Sequence, residues 1–341
     1  MPQSASRAQW ADALRVVACL MVVGIHVCGV GWYSLPAESL DWNVANVIDS
    51  ALRGAVPLFF MLSGAFLLEK DPEPKKLLLR TLRLFLLWLV FALLYAVRRD
   101  GFWLWKMPTY WLSEATDDHY HLWFLRTMVC LYLISPALRA LVVWKDGKWV
   151  PWLLGVFLVF GVLRASFDFP LRQGETWIRA KKLFIPELCG YSGYFMLGWY
   201  LKTKVPALKR GQKWLCALVY LLAWALIALG TRGYSLALGV NDERLYEYTH
   251  LPVFLEAVCL FLLFRDGKDT PARGFIAGAA PLTLGVYLLH PLLIDQLRGF
   301  GLDPASMPAA ARIPLTVAAA ALGAGLVTWL LRRIPFVRKF L

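Results

Sequence analysis

Long apolar runs, separated by short polar and basic segments, recur along the whole chain. About twenty consecutive apolar residues cross the hydrocarbon core of a bilayer as one α-helix, and shorter runs can cross when they are tilted or buried among neighbours. The pattern therefore predicts an all-α fold, a polytopic transmembrane helix bundle of about ten helices. The predicted spans lie in 12–32, 44–69, 77–97, 121–143, 149–164, 186–201, 214–231, 250–265, 275–297 and 312–331.

The basic residues between these spans predict how the bundle is oriented. When the loops are assigned alternately to two sides, one side receives most of the lysines and arginines, including the clusters in 70–83, 202–213 and 332–339. Because loops rich in basic residues stay in the cytoplasm, both termini are predicted to be cytoplasmic. Nothing in the sequence indicates a second soluble domain, so 1–341 is predicted to form a single integral membrane domain.

Composition supports a membrane protein and argues against several other classes. The chain is 59% hydrophobic and 17% charged, with a mean hydropathy of +0.55, and soluble domains are usually about a quarter charged. The net charge of +13 arises from short clusters between spans rather than from one basic patch, so the lipid bilayer, not nucleic acid, is the expected partner. The six cysteines show no paired spacing and no histidine partner, so neither a metal site nor a disulfide is expected.

The first predicted span contains two ionisable residues, Arg15 near its start and His26 near its far end. At about 100° per residue, their spacing brings both side chains to nearly the same helical face, roughly 16 Å apart along the axis. An ionisable group at membrane depth costs at least ~2.5 kcal/mol and usually faces a cavity or a partner. The pair indicates either a functional seam with a cation and a base, or a snorkelling arginine and a hydrogen-bonded core histidine.

The second predicted span carries Arg53 in its outer half and ends in the small residues Ser63 and Gly64. Pro57 predicts a bend, and Ser63 and Gly64 predict a point of close approach. Close approach has two interpretations, a contact between helices or the wall of a substrate path, and the sequence leaves both open.

The third predicted span begins with two arginines, Arg80 and Arg83. Residues three apart share one helical face, so these side chains can present two guanidinium groups to a phosphate or diphosphate. The alternative interpretation is an ordinary basic flank at the membrane surface.

Aromatic and charged residues combine in 117–126, at the outer end of the fourth predicted span. Tryptophan and tyrosine are typical of a membrane interface, but aromatic faces beside charged groups also suit a sugar. Trp123 and Arg126 are therefore candidate carbohydrate contacts. Three further polar residues lie within apolar runs, Glu187, Glu256 and His290, and His290 is predicted at nearly the depth of His26. His290 either hydrogen-bonds a structural partner or faces the same cavity.

Together these residues resemble the bacterial acyltransferase-3 family of integral membrane acyltransferases over nearly the whole chain. Arg15 and His26 match the family's arginine, ten residues, histidine signature. Residues 59–64, 80–83 and 121–125 are similar to its Phe-Phe-x-x-Ser-Gly, Arg-x-x-Arg and His-Leu-Trp-Phe-Leu segments. The joint pattern is far more specific than any single part.

The resemblance implies an O-acyltransferase of the bacterial inner membrane that moves an acetyl group from cytoplasmic acetyl-CoA to a hydroxyl of an envelope glycan. Acetyl-CoA is then the acyl-donor substrate, and no permanently bound cofactor is expected. His26 would be the general base or a transient acetyl carrier. The residues implied for CoA binding are Arg15, Ser63, Gly64, Arg80 and Arg83, and those implied for the acceptor are Arg53, Trp123, Arg126, Glu187 and His290.

Two other function classes remain as alternatives. A secondary transporter or exporter would use intramembrane charges to bind its cargo, but it would be expected to show internal repeats, and none is detected. A sensor or structural membrane protein leaves the Arg15 and His26 pair without a role. The sequence leaves the acceptor sugar and the oligomeric state open, with a homo-oligomer among the options.

Overall fold

All regular structure in the described part of the chain is helical, which confirms the all-α prediction. The computed structural model describes residues 8–71, 73–100, 119–167, 190–267 and 273–341. The helices are α1 (Gln9–Ser34), α2 (Leu40–Leu52), α3 (Ala55–Leu67), α4 (Pro74–Asp100), α5 (Trp123–Val143), α6 (Val150–Val156), α7 (Arg164–Phe167), α8 (Tyr191–Thr203), α9 (Arg210–Leu238), α10 (Leu251–Arg265), α11 (Arg273–Ala279), α12 (Thr283–Gly299) and α13 (Ala309–Leu331).

Eight helical segments in these ranges are long and apolar enough to cross a membrane, and they coincide with eight of the ten predicted spans. The fifth predicted span, 149–164, corresponds to a shorter apolar segment, Val150–Ser166, whose middle is π-helical. The sixth, 186–201, coincides with α8, which has 13 residues and follows a stretch outside the described ranges. A polytopic helical bundle is confirmed, and the total of ten spans stays a prediction.

The second span is divided into α2 and α3, and the division lies earlier than the sequence predicted. The break falls at Arg53 and Gly54 rather than at Pro57. The Gly54 N–H donates to Glu256 Oε2 at 3.2 Å, and a Cβ on Gly54 would crowd the backbone of Ala257. Pro57 lies in the first turn of α3, where a missing N–H costs no helical hydrogen bond. Contact with α10 therefore determines the break, and periodicity within one helix does not reveal that contact.

Helices α3 and α8 pack backbone to backbone at two glycines. A Cβ on Gly64 would overlap the Phe195 carbonyl, and a Cβ on Gly198 would overlap the Met61 carbonyl. Small residues let transmembrane helices approach this closely and replace side-chain packing by main-chain contact. Of the two interpretations of Gly64, the structure shows the helix contact.

The start of α1 and the residues after α13 lie at the same end of the bundle. Trp10, on the first turns of α1, packs on Phe66 of α3 and Phe261 of α10, with ring centres 5.9 and 5.4 Å away. Arg83, on the first turns of α4, donates from Nε to the Phe340 carbonyl at 2.9 Å. We call this the inner end, because the positive-inside rule predicts that it faces the cytoplasm, and the opposite end the outer end.

Candidate functional site

A cavity of about 190 Å³ lies among α1, α3, α4, α5 and α12. Most of its lining is apolar. Its polar and ionisable lining residues are Arg15, His26, Ser63, His121, Tyr132, Tyr248, Thr283 and Tyr287. Arg15 and His26 thus face one cavity, on the shared helical face that their spacing predicts. No carboxylate lines it within the described residues.

Three arginines converge near Tyr132, which lines the cavity from α5. The charges of Arg80, Arg15 and Arg83 all act on the Tyr132 hydroxyl. Arg15 also pairs with Asp12, with Nη1 2.9 Å from Oδ1. Arg80 is exposed and Arg83 half-buried, so the cluster extends from the cavity to the inner surface. Such a group of guanidinium forks can bind an anion with several oxygens.

Three of the other four histidines in the chain cluster around His26. His290, from α12, stacks on His26 with ring centres 5.1 Å apart and planes at 27°. His121, just before α5, lies edge-on to His26 at 6.4 Å and 75°, and the Tyr120 ring is 4.8 Å away. His119 stands next to His121, at 5.0 Å. These residues come from three distant parts of the sequence, and only the fold brings them together.

Two fully buried ring nitrogens in this group have no hydrogen bond within the described residues. His119 and His121 are joined through their Nδ1 atoms at 2.9 Å, so one of the two donates. His290 Nδ1 donates to the Val286 carbonyl at 3.1 Å, because a carbonyl only accepts. The Nε2 atoms of His121 and His290 are buried and have no hydrogen-bond partner in the described part of the chain. Buried polar atoms are rarely left unpaired, so such exceptions often mark a functional group.

Among the other residues considered for the site, Ser63 and Trp123 line the cavity. Gly64 faces α8 instead. Arg126 is exposed and does not line the cavity. Helix α5 therefore directs Trp123 toward the cavity and Arg126 away from it. Glu187 lies outside the described residues.

Arg53 is buried behind the cavity wall rather than in it. Its guanidinium forms an ion pair with Asp49 and lies over the Tyr246 ring, with Cζ 3.7 Å from the ring centre. Its charge also acts on Tyr248, which lines the cavity. Arg53 therefore lies behind the wall near Tyr248, and the Asp49 carboxylate balances its charge.

His121 and His119 are functional candidates that sequence reasoning did not single out. The available signal was the placement of His121 at the head of a family-like segment, in a chain with five histidines. In the structure His119 and His121 both precede the first turn of α5. No group of three or more potential metal ligands with the geometry of a metal site occurs in the described residues.

A family model described as an acyltransferase domain matches residues 8–332. The match includes α1 to α13 and every residue that lines the cavity. No curated protein and no solved structure matches the chain.

Proposed function

Because the chain belongs to the acyltransferase-3 family, whose members transfer acyl groups to hydroxyls, we propose that it acetylates an envelope glycan. The acetyl group would come from cytoplasmic acetyl-CoA and pass through the bacterial inner membrane to a hydroxyl on the other side. The observation that carries this proposal is that Arg15 and His26 line one cavity, with Arg80 and Arg83 beside its inner end.

The inner arginines suit the phosphates of CoA. Arg80 and Arg83 would bind them at the inner surface, while Arg15 adds positive charge farther along the path. The pantetheine arm would then extend past Ser63 and bring its thioester to His26. Arg15 and His26 are roughly 16 Å apart along α1, a distance that an extended arm of this kind can cover.

His26 would perform the chemistry. A neutral imidazole can take a proton from the acceptor hydroxyl, or attack the thioester and carry the acetyl group for a time. Both routes need an unprotonated ring nitrogen. No carboxylate lines the cavity in the described ranges, so the nearby groups that support His26 are the other histidines and Tyr120.

The acceptor would approach from the outer end, where Trp123 offers an aromatic face. Trp123 stacks on Tyr248, with ring centres 5.8 Å apart and planes at 27°. His290 would contribute by holding the His26 ring. Residues 45–53 and 56–61 resemble those of the O-acetyltransferase of enterobacterial common antigen, and this glycan is the acceptor that we propose to assay first.

The test is to measure binding and cleavage of radiolabelled acetyl-CoA by the purified protein. We expect His26→Ala to bind acetyl-CoA almost as wild type does and to cleave none, because the ring is needed for chemistry and the arginines for binding. His250→Ala removes a histidine that does not line the cavity and serves as the control. Wild-type cleavage by His26→Ala would contradict the proposed role of His26. Absence of binding by the wild-type protein would favour the transporter alternative.

A further inference from the structure

We propose that His121 is a second catalytic residue, the base that deprotonates the acceptor hydroxyl while His26 carries the acetyl group. This inference rests on the proposed function. Of the two routes described there, direct transfer and transfer through an acetylated His26, it selects the second. It assigns the two chemical tasks to two different imidazole rings on the same cavity.

The covalent route needs a second base. A His26 ring whose reactive nitrogen holds the acetyl group cannot use that nitrogen to take the acceptor's proton. A nucleophile is usually paired with a base within reach, and that base is held by a third group. Among the residues that the structure describes, no carboxylate lines this cavity, and histidines are the bases that do.

The geometry places His121 opposite His26. Both rings line the cavity, with centres 6.4 Å apart and planes at 75°. A general base must lie about 2.6–3.2 Å from the oxygen that it deprotonates. Among the described residues, His121 is the other imidazole that lines the cavity with His26, so an acceptor oxygen that attacks an acetyl group on His26 approaches the His121 ring.

We assign the proton of the bond between His119 and His121 to His121 Nδ1, which leaves the lone pair of His121 Nε2 able to accept a proton. Its Nε2 is buried and has no partner among the described residues, while its Nδ1 is bonded to His119 Nδ1 at 2.9 Å. The Tyr287 hydroxyl donates to the His121 backbone carbonyl at 2.5 Å. His121 is buried, and burial favours the neutral form of an imidazole.

His290 is less suited to this task although its Nε2 is equally unpaired. Its ring does not line the cavity and lies nearly parallel to that of His26, at 27°. The lone pairs of stacked rings lie side by side, so His290 cannot point Nε2 at a group bound to the edge of His26. Its contact supports the His26 ring, and we assign it a positioning role.

The reaction then proceeds in two displacements. First, neutral His26 attacks the thioester carbon, the C–S bond breaks, and CoA leaves as its thiolate from an N-acetylimidazolium ring. A thiol with a pKa near 8.5 can leave without an acid catalyst. Second, the acceptor oxygen attacks the acetyl carbon, its proton moves to His121 Nε2, and the C–N bond breaks to restore neutral His26. His121 finally releases its proton to water, and the thiolate takes one up.

The test separates the two displacements by isotope. Exchange of label between acetyl-CoA and free CoA requires only the first displacement. Loss of label from the acetylated protein, to water and to glycerol at molar concentration, requires the second. The experiment uses the full-length protein in nanodiscs and compares wild type with His26→Ala, His121→Gln and His250→Gln.

We expect His121→Gln to keep CoA exchange within about twofold of wild type and to release the acetyl label on the order of 100-fold more slowly, the usual contribution of a general base. Glutamine retains polar contacts but cannot take up a proton. His26→Ala should neither acquire label nor catalyse exchange, and His250→Gln should behave as wild type. Labelled His121→Gln protein should therefore accumulate.

Several results would overturn the inference. Release of label by His121→Gln at the wild-type rate would remove its role as base, and an equal fall in exchange and release would show a structural role. If wild-type protein acetylates glycerol without acquiring label, transfer is direct and the proposed function stands without this inference. If wild-type protein does not cleave acetyl-CoA at all, the proposed function itself fails.

Discussion

At the scale of single residues, the charged side chains lie near one end of the cavity and the aromatic rings near the other. Arg15, Arg80 and Arg83 gather near Tyr132, whereas the other end is built from uncharged rings around His26. The separation matches a substrate with anionic phosphates at one end and a neutral acyl group at the other. If the chain has the function proposed above, binding and chemistry should depend on different residues.

Replacing Arg80 by alanine tests that division. We expect Arg80→Ala to raise the KM for acetyl-CoA on the order of tenfold while kcat changes little, because a hydrogen bond to a charged group contributes about 1.5–3 kcal/mol. Steady-state kinetics with a thiol-detecting assay would measure both constants. Lys76→Ala is the matched control, since Lys76 is also an exposed cation on α4 but pairs with Glu73. A fall in kcat at unchanged KM would place Arg80 in the chemistry instead.

Single residues also show the limit of sequence reasoning. The periodicity of one helix was enough to place Arg15 and His26 on a common face. The approach of His290, His121 and His119 to His26 depends on how α1, α5 and α12 pack, which no local pattern specifies. Arg53 was considered as an acceptor contact because it is charged and lies within a span, but its pairing with Asp49 puts it behind the wall.

At the scale of elements, α3 and α8 pack backbone to backbone at Gly64, and α3 also lines the cavity through Ser63. We expect Gly64→Ala to destabilise the protein by about 1–3 kcal/mol or more, since its methyl group would overlap the Phe195 carbonyl. Gly155→Ala is the control, because a Cβ there meets nothing within 4 Å. Thermal unfolding of both variants in detergent would measure the difference. Equal melting temperatures would show that α3 and α8 can separate without cost.

A second element-scale prediction concerns the inner end of α10. Asp266 accepts hydrogen bonds from the Leu208 N–H at 2.8 Å and from Arg265 at 2.6 and 2.7 Å. Burial alone would raise its pKa, but these bonds and the charges of Arg265 and Lys213 outweigh burial and lower it. We expect Asp266→Asn to lower the melting temperature at neutral pH.

The direction of the pKa shift of Asp266 also determines how the effect of Asp266→Asn depends on pH. A carboxylate with a lowered pKa in the folded state stabilises the protein above its unfolded pKa, and the effect disappears as pH falls through the folded value. The difference in melting temperature between wild type and Asp266→Asn should therefore be full at pH 7 and shrink on strong acidification. A difference that grows on acidification would contradict the assignment.

The sequence predicted the helices better than their breaks and contacts. Apolar runs located eight spans because burial in lipid imposes length and composition on each span separately. The break at Gly54 was missed because it depends on Glu256, some 200 positions away in the chain. Arg312, the first residue of the tenth predicted span, is buried on α13, and its guanidinium lies where a Cβ on Gly31 would project.

At the scale of the whole molecule, the bundle joins two chemically different ends through one cavity. The inner end collects the start of α1, the arginines of α4 and the residues after α13, where Arg83 and Arg332 contact backbone carbonyls of Phe340 and Leu341. The outer end carries the histidines and Trp123. If basic loops face the cytoplasm, the donor enters from the side where acetyl-CoA is made.

Sealed membrane vesicles of known orientation test this sidedness. Acetyl-CoA does not cross a bilayer unaided, because its phosphates are charged. We expect inverted vesicles, with the cytoplasmic face outward, to show His26-dependent cleavage of added acetyl-CoA, and right-side-out vesicles to show it only after a detergent opens them. The His26→Ala protein in the same vesicles corrects for other thioesterases. Cleavage by intact right-side-out vesicles alone would show that Arg80 and Arg83 lie on the outside, which reverses the predicted orientation. The reason is that the phosphates of the donor are expected to bind only at the end of the bundle where these two arginines lie.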